Sequence, residues 1–157
     1  MNRLLLTLAI MTMIGSLLYS NPAAAQVPPP AKRAERVEIT KAPEIELATD
    51  HLIIIRWTTN NPGGSDVHYG IVHYGIDPQD LSQTAKNPIR LNQGHQYTTF
   101  RVRIEDLKPQ TTYYYRATSE ESNGKSDGVE SPVKQFTTPG PAERIVGHPP
   151  QPDSQPR

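Results

Sequence analysis

Short runs of alternating apolar and polar side chains follow one another from Val37 to Thr138. That is the period of an extended strand with one buried face. The cleanest is Tyr97 to Leu107, where Phe100, Val102 and Ile104 alternate with Arg101, Arg103 and Glu105. Leu52 to Thr59 repeats the pattern through Ile53, Ile55 and Trp57, the only tryptophan. Val67 to Gly75 sets Val72 and Tyr74 on one side. In Thr111 to Thr118, Tyr113, Tyr115 and Ala117 share a face that Tyr114 opposes, and Val129 to Thr138 closes the set through Val133 and Phe136. Two weaker segments complete it. Val37 to Ala48 carries Ile45 and Leu47 but is interrupted by Pro43, which suits an edge strand; Leu81 to Leu91 is polar, and Pro88 demotes it to an edge or a loop. Asn60 to Asp66 and Ser122 to Gly128 are turn clusters. The pattern predicts seven strands and no helix outside the first residues.

Leu107-Lys-Pro-Gln-Thr-Thr-Tyr113 marks a corner between two of these strands, with Pro109 fixing φ for the turn. A tyrosine just past such a corner buries its ring and returns its hydroxyl to the turn backbone. With a lone tryptophan on another strand, this predicts an all-β sandwich. Its expected core is Ile53, Ile55, Trp57, Val72, Tyr74, Val102, Ile104, Leu107, Tyr113, Tyr115 and Phe136.

The ends read differently. Met1-Asn-Arg3 is a positive start, Leu4 to Leu18 is uncharged and mostly apolar, and Ala23-Ala-Ala25 supplies small residues before Gln26. This is the pattern of a signal peptide over 1–25, cleaved after Ala25; the apolar run falls short of the ~20 residues a spanning helix needs. Residues 26–36 form a proline-rich, charged linker, 37–139 the domain, and 140–157 a proline-rich disordered tail read as a spacer. Lys plus Arg and Asp plus Glu number 16 each, so no charge imbalance recruits nucleic acid or an anionic membrane. The absence of cysteine excludes disulfides, thiolate metal sites and a cysteine nucleophile.

Trp57, Tyr74, the Leu107/Pro109/Tyr113/Tyr115 corner and the closing Phe136-Thr-Thr-Pro139 together resemble a fibronectin type III domain, a seven-stranded immunoglobulin-like antiparallel sandwich. Within that superfamily, Ile55-Arg-Trp57-Thr-Thr, Val72-His-Tyr74-Gly75-Ile-Asp-Pro78-Gln-Asp-Leu81 and the corner resemble the N-terminal domain of purple acid phosphatases. In that family the β-domain precedes a separate metallophosphatase domain, whose metal ligands have no positions to map onto here. The resemblance implies the fold and not the activity.

The candidate chemistry is sparse. His68 and His73 lie five apart, so in one regular strand they face opposite ways, and only a bulge at Gly70 would let them share a metal. Ser65, Asp66 and His68 supply the residue types of a hydrolytic triad without a nucleophile elbow, and a turn stabilised by Asp66 explains them better. Glu120, Glu121 and Asp127 offer carboxylates to a weak Ca²⁺ site but lack regular ligand spacing. No catalytic residue, metal ligand or cofactor is therefore predicted.

The expectation is an exported, monomeric, non-catalytic module, periplasmic or secreted, that binds or spaces an envelope or extracellular protein or glycan. It would contact no nucleic acid and keep no stable membrane insertion after cleavage. The alternative is a detached accessory domain associated with a metallophosphatase or another hydrolase. Candidate binding positions are Asn60, Asn61 and Asp66 in one loop, Glu120, Glu121, Asn123, Lys125 and Asp127 in another, and the outward Tyr114. The two loops are expected at one end of the sandwich, with the Gly75 to Leu81 region beside them or at the opposite pole.

Overall fold

A computed structural model describes residues 34–60, 67–90 and 95–147. Residues 1–33 and 148–157, on which the expected signal peptide, most of the expected linker and the end of the expected tail fall, lie outside the described residues. Among the described residues nine strands form: β1 (Ile39–Thr49), β2 (Ile53–Asn60), β3 (Val67–Gly75), β4 (Gln83–Arg90), β5 (Tyr97–Ile104), β6 (Thr112–Glu121), β7 (Ser126–Glu130), β8 (Lys134–Thr137) and β9 (Arg144–Val146). They make two antiparallel sheets. One runs β5-β2-β1-β9; the other runs β4-β3-β6-β7, with β8 also paired to β6.

The alternation read in the sequence becomes the packing. Ile53, Ile55 and Trp57 of β2 and Phe100, Val102 and Ile104 of β5 face Val72, Tyr113, Tyr115, Ala117 and Phe136 of the second sheet, all buried. Trp57 stacks on Phe100 with ring centroids 5.2 Å apart, and Tyr113 stacks on Phe136 at 5.5 Å. The expected core is buried except Tyr74, which is half-buried and packs against the cluster. Ala48, Phe100 and Ala117 join it.

Of the edge or loop expected over 81–91, the edge forms: residues 83–90 need only β3 beside them, and there Pro88 costs no ladder bond on the open side. Three local differences from the sequence expectation have physical causes. The strand expected over 129–138 is two, β7 and β8, separated at Ser131–Val133, where the Ser131 hydroxyl caps the Ala117 N–H at 2.9 Å. β6 continues to Glu121, and β7 begins at Ser126, so much of the expected 122–128 loop is strand. Finally, residues 144–146, read as spacer, form β9 on the β1 edge. β1 runs on through Pro43 with a register shift between Lys41 and Glu44, and the edge expected of it is covered by β9 at Leu47–Thr49.

Candidate functional site

Strand direction decides which connections meet. β3 and β6 are antiparallel with His68 opposite Glu121 and Gly75 opposite Tyr114. β2 and β5 pair with Asn60 opposite Tyr97, and β3 and β4 with Val67 opposite Arg90. The β2–β3, β4–β5 and β6–β7 connections therefore begin and end at one pole. The Gly75 to Leu81 region sits at the other, where Gly75 has no room for a side chain: a Cβ would lie 2.1 Å from the Asp80 carbonyl oxygen.

At the first pole the interior turns polar. Inward positions continue along β3 through Gly70 to His68 and along β6 through Ser119 to Glu121, and all are buried. The Asp127 carboxylate of β7, with 3% of its side chain exposed, reaches across β6 on the same side. It accepts the Ser119 hydroxyl at 2.6 Å and lies 3.2 Å from His68 Nε2. A carboxylate accepts only, so the imidazole donates from Nε2. That leaves Nδ1 buried without a hydrogen-bond partner. Three strands are thus tied together through one carboxylate.

The hairpin above is built from its own polar groups. Asn123 Oδ1 accepts the Lys125 N–H at 2.8 Å, Asn123 Nδ2 donates to Glu121 Oε2 at 3.3 Å, and Gly124 takes a φ of 85° that suits glycine. Lys125 Nζ lies 3.9 Å from Glu121 Oε1 with 68% of its side chain exposed. Asn60 pins the entering chain: its Oδ1 accepts the Glu38 N–H at 2.7 Å and its Nδ2 donates to the Arg36 carbonyl at 2.9 Å. Residues 34–37 and the 121–127 hairpin enclose a polar cleft of about 210 Å³ lined by Glu35, Arg36, Glu121, Lys125, Ser126 and Asp127.

The candidate residues accordingly divide. Asn60, Glu121, Asn123, Lys125 and Asp127 gather at the pole. Asn61 and Asp66 belong to the connection 61–66, outside the described residues. Glu120 lies on the outer sheet face and accepts Lys86 Nζ at 2.8 Å; Tyr114 is on the same outer side, half-buried, at the far end. Glu120 and Glu121 point to opposite faces, so the three carboxylates do not converge on a Ca²⁺ site, and the described residues hold no cluster of three or more His, Asp or Glu able to ligate a metal. β3 is regular through Gly70. His68 is therefore inward while His73 is outward, where its Nε2 lies 3.2 Å from Thr118 Oγ1 and burial, with the Arg116 charge, lowers its pKa. Sequence reasoning missed the His68–Asp127–Ser119 network. The inward parity of His68 was readable from Val72; the turn of Asp127 toward it was not.

A family model, Purple acid Phosphatase, N-terminal domain, matches residues 43–138. The chain belongs to that family. The matched stretch begins within β1 and ends just past β8, so it takes in the sandwich and the Tyr113 corner and leaves out β9. Solved structures similar to this purple acid phosphatase N-terminal-type domain include the sensor domain of the anti-sigma factor RsgI4 of Pseudobacteroides cellulosolvens, 21% identical with a TM-score of 0.48 over 68% of this chain and 98% of that one. The fibronectin type-III domain of human fibronectin type III domain containing protein 3 is 19% identical with a TM-score of 0.41, over 70% and 93% of the two chains. The fn3 domain of human contactin 1 is 17% identical with a TM-score of 0.39, over 79% and 95%. These are likenesses of fold. A comparison with curated proteins finds no match. No helix among the described residues is long and apolar enough to cross a membrane.

Proposed function

We propose that this domain is an exported, non-catalytic binding module of the cell envelope that engages a protein or glycan through the pole carrying the β2–β3, β4–β5 and β6–β7 connections. The observation that carries the reading is that the strand ends flanking three connections lie at one pole, over one hydrogen-bonded polar base. Loops held on a stiff sandwich present side chains to a partner at little entropic cost. Asn123 and Lys125 are the exposed groups at the hairpin tip. Glu121, Asp127 and Asn60 act beneath them as supports, because their polar groups are committed to the fold. The leader read over 1–25 would deliver the chain, as a monomer when dilute, to the periplasm or beyond.

The family match favours a second reading, that of an accessory domain seated on a metallophosphatase or another hydrolase. One experiment addresses both. Mature residues 26–157 are crosslinked in envelope extract beside Lys125→Glu at the proposed pole and Lys108→Glu at the other. A protein or glycan captured by the native chain and Lys108→Glu, but lost with Lys125→Glu, supports the pole. A hydrolase among the captured proteins supports the accessory reading. Equal capture by all three overturns pole-mediated binding, and empty capture leaves a passive spacer.

A further inference from the structure

After β8, in one sheet, the next described strand, β9, pairs in the other. Thr138 is fixed by donating to the Lys108 carbonyl at 2.6 Å, and the Pro139 carbonyl accepts the Gln110 N–H at 3.3 Å. A turn follows over Gly140–Glu143, closed by the Glu143 N–H on the Gly140 carbonyl at 3.1 Å. β9 then pairs antiparallel with β1, with Leu47 opposite Val146, Ala48 opposite Ile145 and Thr49 opposite Arg144. The Gly147 N–H donates to the Glu46 carbonyl at 2.9 Å.

Three details set this strand apart from the rest of the sandwich. The seat is shaped for it: a Cβ at position 147 would lie 2.1 Å from the Ile45 carbonyl oxygen, so only a strand ending in glycine closes there. The turn is strained. Pro141 occupies its second position and Ala142 its third with φ 65°, the place in a type II turn that calls for glycine or asparagine. And β9 is lightly buried, with Ile145 51% and Val146 62% exposed, so it gives up little apolar contact on leaving.

A short strand with a specific seat, held by a short strained hinge and lightly buried, is the condition under which identical elements change places between copies. We infer that the β1 edge from Glu46 to Thr49 is a strand-addition site, and that its second occupant is β9 of another copy of this chain, by reciprocal exchange. The hinge opens over Pro141–Glu143. Each β1–β9 bond is kept across the two copies, and Ala142 is released from its left-handed conformation.

The chain has no native cysteine, so two single variants report on exchange directly. Leu47→Cys and Val146→Cys proteins, isolated as the host processes them, are mixed under reducing conditions and then oxidised, at a dilute concentration and one roughly fiftyfold higher. Exchange yields a disulfide between position 47 of one copy and 146 of the other, more abundant at the higher concentration. Ala142→Gly in both partners should lower its yield about threefold or more by relieving the closed turn. Oxidation that gives only 47–47 and 146–146 species, at either concentration, overturns the inference. So does a mixed species whose yield is unchanged by Ala142→Gly, since the strained hinge is what drives the exchange.

Discussion

The Lys108 backbone N–H donates to the Tyr113 hydroxyl at 3.0 Å, so the turn leaving β5 is fastened to the first inward side chain of β6. The Tyr113 ring stays in place by stacking on Phe136 and meeting Tyr74 at 6.4 Å. Tyr113→Phe keeps the ring and removes one hydrogen bond. Lys108 is exposed, so its freed N–H can turn to water. The expected cost is about 1 kcal/mol, within the range for a single neutral bond. Urea unfolding should show a lower midpoint with an unchanged slope; a loss several times larger would mean that the corner holds more than its bond.

Trp57 carries both the largest side chain of the core and an indole N–H with no hydrogen-bond partner. Trp57→Ala should cost about 3–5 kcal/mol through lost burial and the cavity left beside Phe100. That approaches the whole stability of a small domain. Trp57→Phe retains the stack on Phe100 and removes the unpaired donor, so it should cost clearly less than the alanine variant. Thermal melts of the pair check this, and equal losses would show that indole shape, not ring burial, dominates the site.

Asp127 ties His68 and Ser119 together beneath the candidate pole. Asp127→Ala would strand both His68 ring nitrogens and the Ser119 hydroxyl in the interior. The expected loss is about 3 kcal/mol or more, as for breaking a buried polar network by removing its centre. Asp127→Asn can still accept from His68 or donate to Ser119 and should lose roughly half as much. Hydrogen exchange separates a local from a global role: protection should fall first at Glu121, Gly124 and Ser131, whose amides are bonded in and around the β6–β7 hairpin. Uniform loss over both sheets would argue against a hairpin-specific support.

The sandwich was legible because its cause is local. Burial on one face writes a period of two into the chain, and Ile53/Ile55/Trp57 and Phe100/Val102/Ile104 carry it without interruption. The corner was legible for the same reason, since Leu107, Pro109 and Tyr113 act within seven residues. The pole was only half legible. Asn123 and Gly124 announce a turn, but Glu120 and Glu121 belong to the strand before it, and the inward swing of Asp127 depends on His68 some 59 positions away. β9 was hidden because three residues are too few to show a period. Their partner, β1, itself carries three register shifts, one of them at Pro43. What selects β9 is room at Gly147 against Ile45, a tertiary fact with no local sequence signal.

Burial pushes the Tyr115 hydroxyl up to about 12, and the nearby Glu44 carboxylate adds to the effect. In the unfolded chain the same phenol titrates near 10. A folded-state pKa above the unfolded one means that the native protein holds its proton longer. The associated stability is therefore complete below pH 10 and is lost as the pH rises from 10 toward 12. Two pH units correspond to about 2–3 kcal/mol at the alkaline end. Tyr74 is raised as well, by burial first and then by Tyr113 and Asp106, and so adds to the slope in the same direction. Urea midpoints measured between about pH 8 and pH 11.5 should fall steeply only in the upper part of that range. Tyr115→Phe should flatten most of the fall while lowering stability little at neutral pH, where the phenol is protonated in both states. An unchanged alkaline slope in Tyr115→Phe would move the effect to Tyr74, and would mean that the Tyr115 hydroxyl reaches solvent.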